Sequence, residues 1–249
     1  MTSDAVGSRL EVPGTHNFRE VAPGTLRPGS LYRSDALHRL TRAGRRALAE
    51  LGIAVVIDLR SAIDRRVGGR DRLRGTGARR VSIPISGSPL HRDPESVTLR
   101  GVYRTVLTEH HADLGRAIRV IADAEGPVVV HCTAGKDRTG LVVALLLLAL
   151  EVDAETVLAD YTATEANLAG EWTDRIVRKV RRLRVLVTDS ILEVLAQSPE
   201  AVLRESLEWI ESEHGGVRDY LAAAGVDAEV LARLRRNLLP AGAPGSATS

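Results

Sequence analysis

The chemistry-bearing stretch of this chain is VVVHCTAGKDRTGLVV, residues 128 to 143. It holds the single cysteine, Cys132, then five residues, then Arg138, followed by Thr139 and Gly140. An apolar β-branched run precedes the loop and LVVALLLLAL follows it, so the loop should turn from a buried strand into a helix. Such a turn aims successive backbone N–H groups and a helix N-terminus at one spot, which suits an anion. Gly135 permits the tight curl, and Arg138 offers a planar fork to two phosphate oxygens. The same positive surroundings favour a thiolate at Cys132. The pattern points to attack of sulfur on phosphorus, through a phosphocysteine. Thr133, Ala134, Gly135, Lys136, Asp137 and Arg138 then form the phosphate-binding loop. His131 orients it, and Thr139 donates a hydroxyl hydrogen bond to the departing sulfur.

Cleaving a phosphate monoester also needs a proton for the leaving oxygen. Asp137, inside the loop and beside Arg138, is the first candidate, with a plain bracing role as its alternative. Asp58 is the second, because ligands gather at the C-terminal ends of strands in open α/β folds; it could instead hold Arg138 or a loop amide. Asp93 comes third. Lys136 is one of two lysines among the 34 basic residues. It would suit a ligand with several phosphates, such as an inositol head group, or be simply solvated. Arg33 and Arg60 follow strand-like runs and could extend a basic mouth.

The elements that must position these groups alternate between strand and helix. LYRS (31 to 34), AVVIDLR (54 to 60), 79 to 85 and GPVVVHC (126 to 132) read as strands. A helix is expected over 40 to 52, with Thr41 as N-cap and Gly52 as its stop. Residues 86 to 96 read as a loop, 97 to 124 as helical, and the run after Gly140 as a helix too apolar to face water. After Val152 the chain is nearly all helix. Asp153 caps a stretch toward Leu168, 171 to 184 and 191 to 197 follow, and Ser198, Pro199 and Gly215 bound another. Two last helices follow, the second capped by Asp227. The expected fold class is α/β, a central, mostly parallel sheet flanked by helices, with a helix-rich C-terminal region. Residues 11 to 240 are expected to form one domain, with 153 to 240 its helical part packing on the sheet. Residues 1 to 10 and the tail 241 to 249 are expected to be disordered.

Composition removes several alternatives. The 249 residues are 44% hydrophobic and 27% charged, which is ordinary for a soluble protein. Aromatics are 3%, so the core must be built from Leu, Val, Ile and Ala. A net charge of +2 with so few aromatics argues against a nucleic-acid binder. One cysteine allows no internal disulfide and no multi-cysteine metal site. It also disfavours arsenate reduction, which needs further thiols to resolve its adduct. His110 and His111 are adjacent, which is not metal-ligand spacing on a helix. No metal or cofactor is expected. The N-terminus lacks an apolar core and the longest apolar run has ten residues, too short to span a bilayer. A cytoplasmic location is the expectation, with export by a route lacking a signal peptide left open. Arg175, Arg178, Lys179, Arg181, Arg182 and Arg184 read as a solvated basic face, or as a guide for an acidic substrate or lipid surface.

HCTAGKDRTG resembles the signature loop of the cysteine-dependent protein tyrosine phosphatase superfamily. NFRE (17 to 20), LRPGSLYRSDALHRLT (26 to 41), VIDLRS (56 to 61) and the pair Asp160–Tyr161 are similar to its bacterial tyrosine/lipid phosphatase branch. The resemblance is clear from about residue 15 to 165 and thin beyond. It implies a single domain, a metal-free reaction, Cys132 as nucleophile and Arg138 as phosphate ligand. It also implies phosphotyrosine, phosphoserine/threonine and phosphoinositides as substrate types, and a helical lid in some members. Better-known relatives carry their acid on a mobile loop after Trp-Pro. Neither Trp172 nor Trp209 precedes a Pro-Asp pair, which leaves Asp137 as the favoured acid. A catalytically inactive phosphate-binding module on the same fold is the alternative; such modules usually lose the Cys or the Arg, and both are present.

Overall fold

A computed structural model describes residues 7–86, 98–182 and 187–241. Among these, five strands form one sheet: β1 (Arg19–Glu20), β2 (Leu31–Ser34), β3 (Val55–Asp58), β4 (Arg79–Ser82) and β5 (Val128–His131). The order is β1-β2-β5-β3-β4, antiparallel at the β1 edge and parallel elsewhere. Strand β5 is central and buried throughout, as its run of valines requires. Its register sets His131 beside Ser34 of β2 and Asp58 of β3. The segments after all three strands therefore leave the sheet at one edge, where an open parallel sheet builds its site.

The helices begin with α1 (Arg42–Glu50), where the Thr41 hydroxyl accepts from the Gly44 N–H at 3.1 Å. A short 3-10 turn, Leu37–Arg39, precedes it. Next comes α2 (Ala62–Gly68), a helix that the sequence reading did not assign. Its signal was there: Ser61 and Asp64 form a reciprocal capping box. The helical stretch expected over 97 to 124 is two helices, α3 (Leu99–Glu109) and α4 (His111–Ala122). They break at His110, which leaves helical geometry while its ring bonds to Asp113 at 2.9 Å. The segment 87–97, with the expected loop and Asp93, lies outside the described residues, as does Arg184.

Helix α5 (Asp137–Ala149) leaves the loop after β5 and is buried on nearly every side. An all-apolar helix is stable only when covered. Here α4, α6 (Ala154–Leu168) and α10 (Val217–Ala223) cover it. Asp153 caps α6 as expected, through the Thr156 N–H at 2.8 Å. The rest of the C-terminal part comprises α7 (Glu171–Arg182), α8 (Asp189–Ala196), α9 (Glu200–His214) and α11 (Ala228–Leu238). Pro199 rather than Ser198 is the N-cap of α9, and Gly215 ends it in the left-handed region. The main neighbours of α9, α10 and α11 are α3 to α6, so these helices lie on the helical layer rather than directly on the sheet. Their apolar residues, among them Leu203, Ile210 and Leu234, share one buried cluster with Ile57, Val130 and Leu145. No described helix is long and apolar enough to cross a membrane.

Beneath the β5–α5 loop lies a buried ion-pair knot. Asp160 of α6 accepts from Arg33 of β2, and its backbone carbonyl accepts from Arg19 of β1 at 2.8 Å. All three side chains are fully buried. One carboxylate thus faces two guanidinium groups, and burial beside Arg33 pushes Arg19 down to about 9. Removing the only acid of such a knot leaves buried charge unpaired. Asp160→Ala is expected to lower unfolding free energy by about 3–5 kcal/mol, read from urea denaturation. A loss below about 1 kcal/mol, the range of an exposed pair, would show that the knot does not brace the fold.

Candidate active site

The loop from Cys132 to Lys136 is held by its carbonyls. Thr133 O accepts from the Ala36 N–H at 3.1 Å, and Ala134 O from Asn17 Nδ2 at 3.0 Å. Gly135 O accepts from Arg33 Nη2 at 2.8 Å and Asn17 Nδ2 at 3.3 Å, and Lys136 O from the Gly140 N–H at 2.7 Å. A trans peptide points its N–H opposite to its C=O. With these four carbonyls tied outward, the N–H groups of Ala134 to Asp137 turn into the bowl and make an anion nest. Gly135 sits at φ +69°, and a Cβ there would lie 2.2 Å from Ser34 O, so only glycine lets the loop rest on β2. Gly140 similarly admits the Tyr161 ring, 3.1 Å from where a Cβ would stand.

Cys132 lies at the loop's floor, 2% exposed. Burial alone would push its thiol up. The Arg138 guanidinium and the Thr139 hydroxyl and N–H outweigh it, and the thiol ends below its ordinary value despite opposition from Asp137. The Thr139 hydroxyl is buried without a well-formed hydrogen bond, yet it lies near enough to the sulfur to favour the thiolate. Arg138 is itself held. Its Nη1 donates to Asp64 Oδ2 at 2.6 Å and Ile85 O at 3.1 Å, and its Nη2 to Thr133 Oγ1 at 3.3 Å. Burial would raise the Asp64 carboxyl, but Arg138 and the Ser61 cap hold it below its ordinary value. Asp64 was not among the sequence candidates. The signal that could have exposed it is the same Ser61-to-Asp64 spacing that marks α2.

His131 is fully buried. Its Nδ1 lies 3.1 Å from Cys132 O and its Nε2 3.2 Å from Asp71 Oδ2. Burial works against charge on the ring, but Asp71 at Nε2 and Asp58 behind it hold the imidazolium above its usual range. Asp58, the second candidate acid, is bound on both oxygens by Arg60, at 2.9 and 3.1 Å, and Arg60 also donates to Asp71 at 2.7 Å. Asp58 therefore meets neither Arg138 nor a loop amide, but Arg60. Asp58, Asp71 and His131 bring ligand-type atoms within 4.8 Å of one another. With Arg60 already bonded to both carboxylates, the cluster is an ion-pair network.

The expectation that Arg33 and Arg60 extend a basic mouth is corrected: both are buried and ion-paired beneath the site. Lys136 is also fully buried, so it is no solvated lysine. Its Nζ donates to Asp137 Oδ1 at 2.6 Å and to Gln197 O, after α8, at 2.7 Å. Tyr103 of α3 donates to the same Asp137 oxygen at 3.1 Å and bonds to Tyr161 at 2.8 Å. Among the described residues no donor reaches Asp137 Oδ2. Ala134 packs with Leu168, Trp172 and Ile176, which sets α7 beside the loop. His110 pairs with Asp113, and His111 with Tyr220 O, away from the site.

The sequence profile of the tyrosine phosphatase family matches residues 10–240. The triple specificity protein phosphatase PtpB of Mycobacterium tuberculosis is 30% identical over 276 residues, covering 92% of this chain and 98% of its own length. A tyrosine-protein phosphatase of Nostoc commune is 28% identical over 239 residues, covering 86% of this chain and 75% of its own. The crystal structure of TpbA from P. aeruginosa aligns with 79% of this chain and all of its own at 19% identity, with a TM-score of 0.41.

The thiolate balance is testable by itself. Alkylation of Cys132 by iodoacetamide should reach half its maximal rate below the ordinary thiol range. In Arg138→Met, where the largest offset to burial is removed, the midpoint should move up. An unmoved midpoint would separate the guanidinium from the thiolate.

Proposed function

The chain belongs to the tyrosine phosphatase family, and on that premise we propose that it hydrolyses phosphate monoesters without a metal, through a phosphocysteine on Cys132. The observation that carries the reading is the buried sulfur beneath an inward-facing amide bowl, with Arg138 lowering its pKa. Phosphotyrosine in proteins is the main substrate. Phosphoserine/threonine and phosphoinositides are further ones, as the loop's resemblance to the tyrosine/lipid phosphatase branch implies; the name of the triple specificity relative agrees with more than one substrate type.

In the first step the Cys132 thiolate attacks phosphorus. A P–S bond forms, the P–O bond to the leaving group breaks, and the leaving oxygen takes a proton. The bowl amides and Arg138 hold the phosphoryl oxygens where charge develops. Asp137 supplies the proton from Oδ2, while Lys136 and Tyr103 fix the carboxyl through Oδ1. Asp58 is poorly placed for this role, since Arg60 engages both of its oxygens. In the second step water attacks the phosphocysteine and gives its proton to Asp137. The P–S bond breaks, the Thr139 hydroxyl stabilises the returning thiolate, and inorganic phosphate leaves.

Cys132→Ser should abolish turnover but leave binding of a phosphotyrosine peptide largely intact by calorimetry, because bowl and guanidinium remain. Turnover within tenfold of wild type would sink the nucleophile. Wild-type activity should also persist in chelator; loss that a divalent ion restores would contradict the metal-free route. Asp137→Asn should slow phosphotyrosine by about 10²–10⁴-fold and an activated aryl phosphate far less. Equal slowing of both would mean that Asp137 only braces the loop.

A further inference from the structure

Beside the phosphate loop opens a cleft of about 1030 Å³, touching the loop at Thr133. Its walls come from three separate parts of the chain. Arg39 stands at the end of the 3-10 turn, and Arg70 and Arg72 follow α2. The opposite wall is α7, which presents Arg175, Arg178, Lys179 and Arg182. Lys179 crosses to the α2 side, where its Nζ donates to Val67 O at 3.2 Å. The cations on α7 therefore do not simply face solvent; they meet others across a concave space.

The balancing acids are few. Among the described residues the one carboxylate lining the cleft is Asp35, buried, with Oδ1 accepting from the His16 and Asn17 N–H groups at 2.8 and 3.0 Å. Glu171 reaches Arg175 at 3.7 Å from the exposed side. Among the described residues no ion pair engages Arg39, Arg70, Arg72, Arg178 or Arg182. The crowding registers on Arg175, lowered by partial burial and by Arg39 and Arg178, with Glu171 and Asp35 opposing. Like charges gathered around a cavity repel, and a bound anion relieves that repulsion. The scissile phosphate, seated in the bowl on Arg138, does not supply it. Lys136, the loop's own extra cation, already serves Asp137 and Gln197.

We propose that this cleft is a second anion subsite, which binds a further phosphate of the same substrate while the scissile phosphate lies on the loop. The proposal rests on the phosphatase reading above and, among the substrates given there, assigns this cleft to the compact, multiply phosphorylated ones of the inositol phosphate kind, free or as a lipid head group. α7 and the residues after α2 bind this second phosphate from opposite sides, with the guanidinium groups acting as charge-assisted donors. The lever is electrostatic and partly exposed, so it weakens with ionic strength.

Two variants test the two walls: Arg70→Gln with Arg72→Gln, and Arg178→Gln with Arg182→Gln. All four side chains are exposed, so the fold should survive, which circular dichroism checks. The probes are an aryl phosphate, free inositol 1,4,5-trisphosphate, and neutral-lipid vesicles carrying phosphatidylinositol 4,5-bisphosphate. Each variant should raise KM for the inositol probes about tenfold, the scale of one or two lost charge-assisted bonds, with KM for the aryl phosphate unchanged. An effect on the vesicles alone identifies a lipid head group, and an effect on the free ligand alone a soluble one; both support the subsite. Equal effects on all probes, or none on either inositol probe, overturn it. The same comparison by calorimetry, with the free inositol phosphate and Cys132→Ser background, keeps the answer independent of turnover. If wild type hydrolyses no probe but the binding difference persists, the phosphatase reading fails and the subsite stands.

Discussion

A cysteine sulfur nearly out of reach of water, its thiol nonetheless held below the ordinary value, is the constraint on which this structure turns. Burial of Cys132 opposes its charge, so something fixed and positive must lie beside it. Arg138 is that group, and it is buried too, so it needs an anion in turn. The sulfur supplies part of that requirement and Asp64 supplies the rest. Asp64 is held by the Ser61 capping box, which ties a seven-residue helix after β3 to the electrostatics of the loop after β5. A second chain of charge runs behind the first, from His131 through Asp71 to Arg60 and Asp58. The floor of the site is thus a layer of alternating charges laid along the C-terminal edge of the sheet.

The bowl above that floor depends on a different set of bonds. Its amides can point inward only because its carbonyls are tied outward, and the side chains that tie them, Asn17 and Arg33, lie just before β1 and on β2. Asp160 and Thr164 of α6 accept from Arg33, and also from Arg19, which in turn donates to Asn17 Oδ1. A buried polar network of this kind specifies one arrangement because any partial version leaves charge without a partner.

Much of this was legible in the sequence. The strand–loop–helix around Cys132, the parallel strands and the caps at Thr41, Asp153 and Asp227 follow from local periodicity and turn chemistry, and they appear where expected. Partners distant along the chain were less legible. Asp64 and Asp71 reach Arg138 and His131 across 74 and 60 residues, and nothing local distinguishes them from other acids. Arg33 and Arg60 were expected at the mouth because an ion-paired buried arginine and a surface arginine look alike in a chain holding 32 of them. The helical run to residue 124 concealed its break at His110, where the bond to Asp113 competes with the helix. Of the basic run expected after Trp172, Arg175, Arg178, Lys179 and Arg182 line one cleft, and what places them there is Trp172 packing with Ala134, a tertiary contact.

The central claim is that phosphate passes through Cys132. Rapid quenching of Asp137→Asn with an activated aryl phosphate, whose leaving group needs no acid, followed by acid digestion and mass spectrometry, reads this directly. Slowed hydrolysis should let a phosphoryl group accumulate on the peptide containing Cys132, at the sulfur, in step with the burst of dephosphorylated product. Product appearing with no covalent enzyme at any time, or a phosphoryl group on His131 instead, would contradict the account.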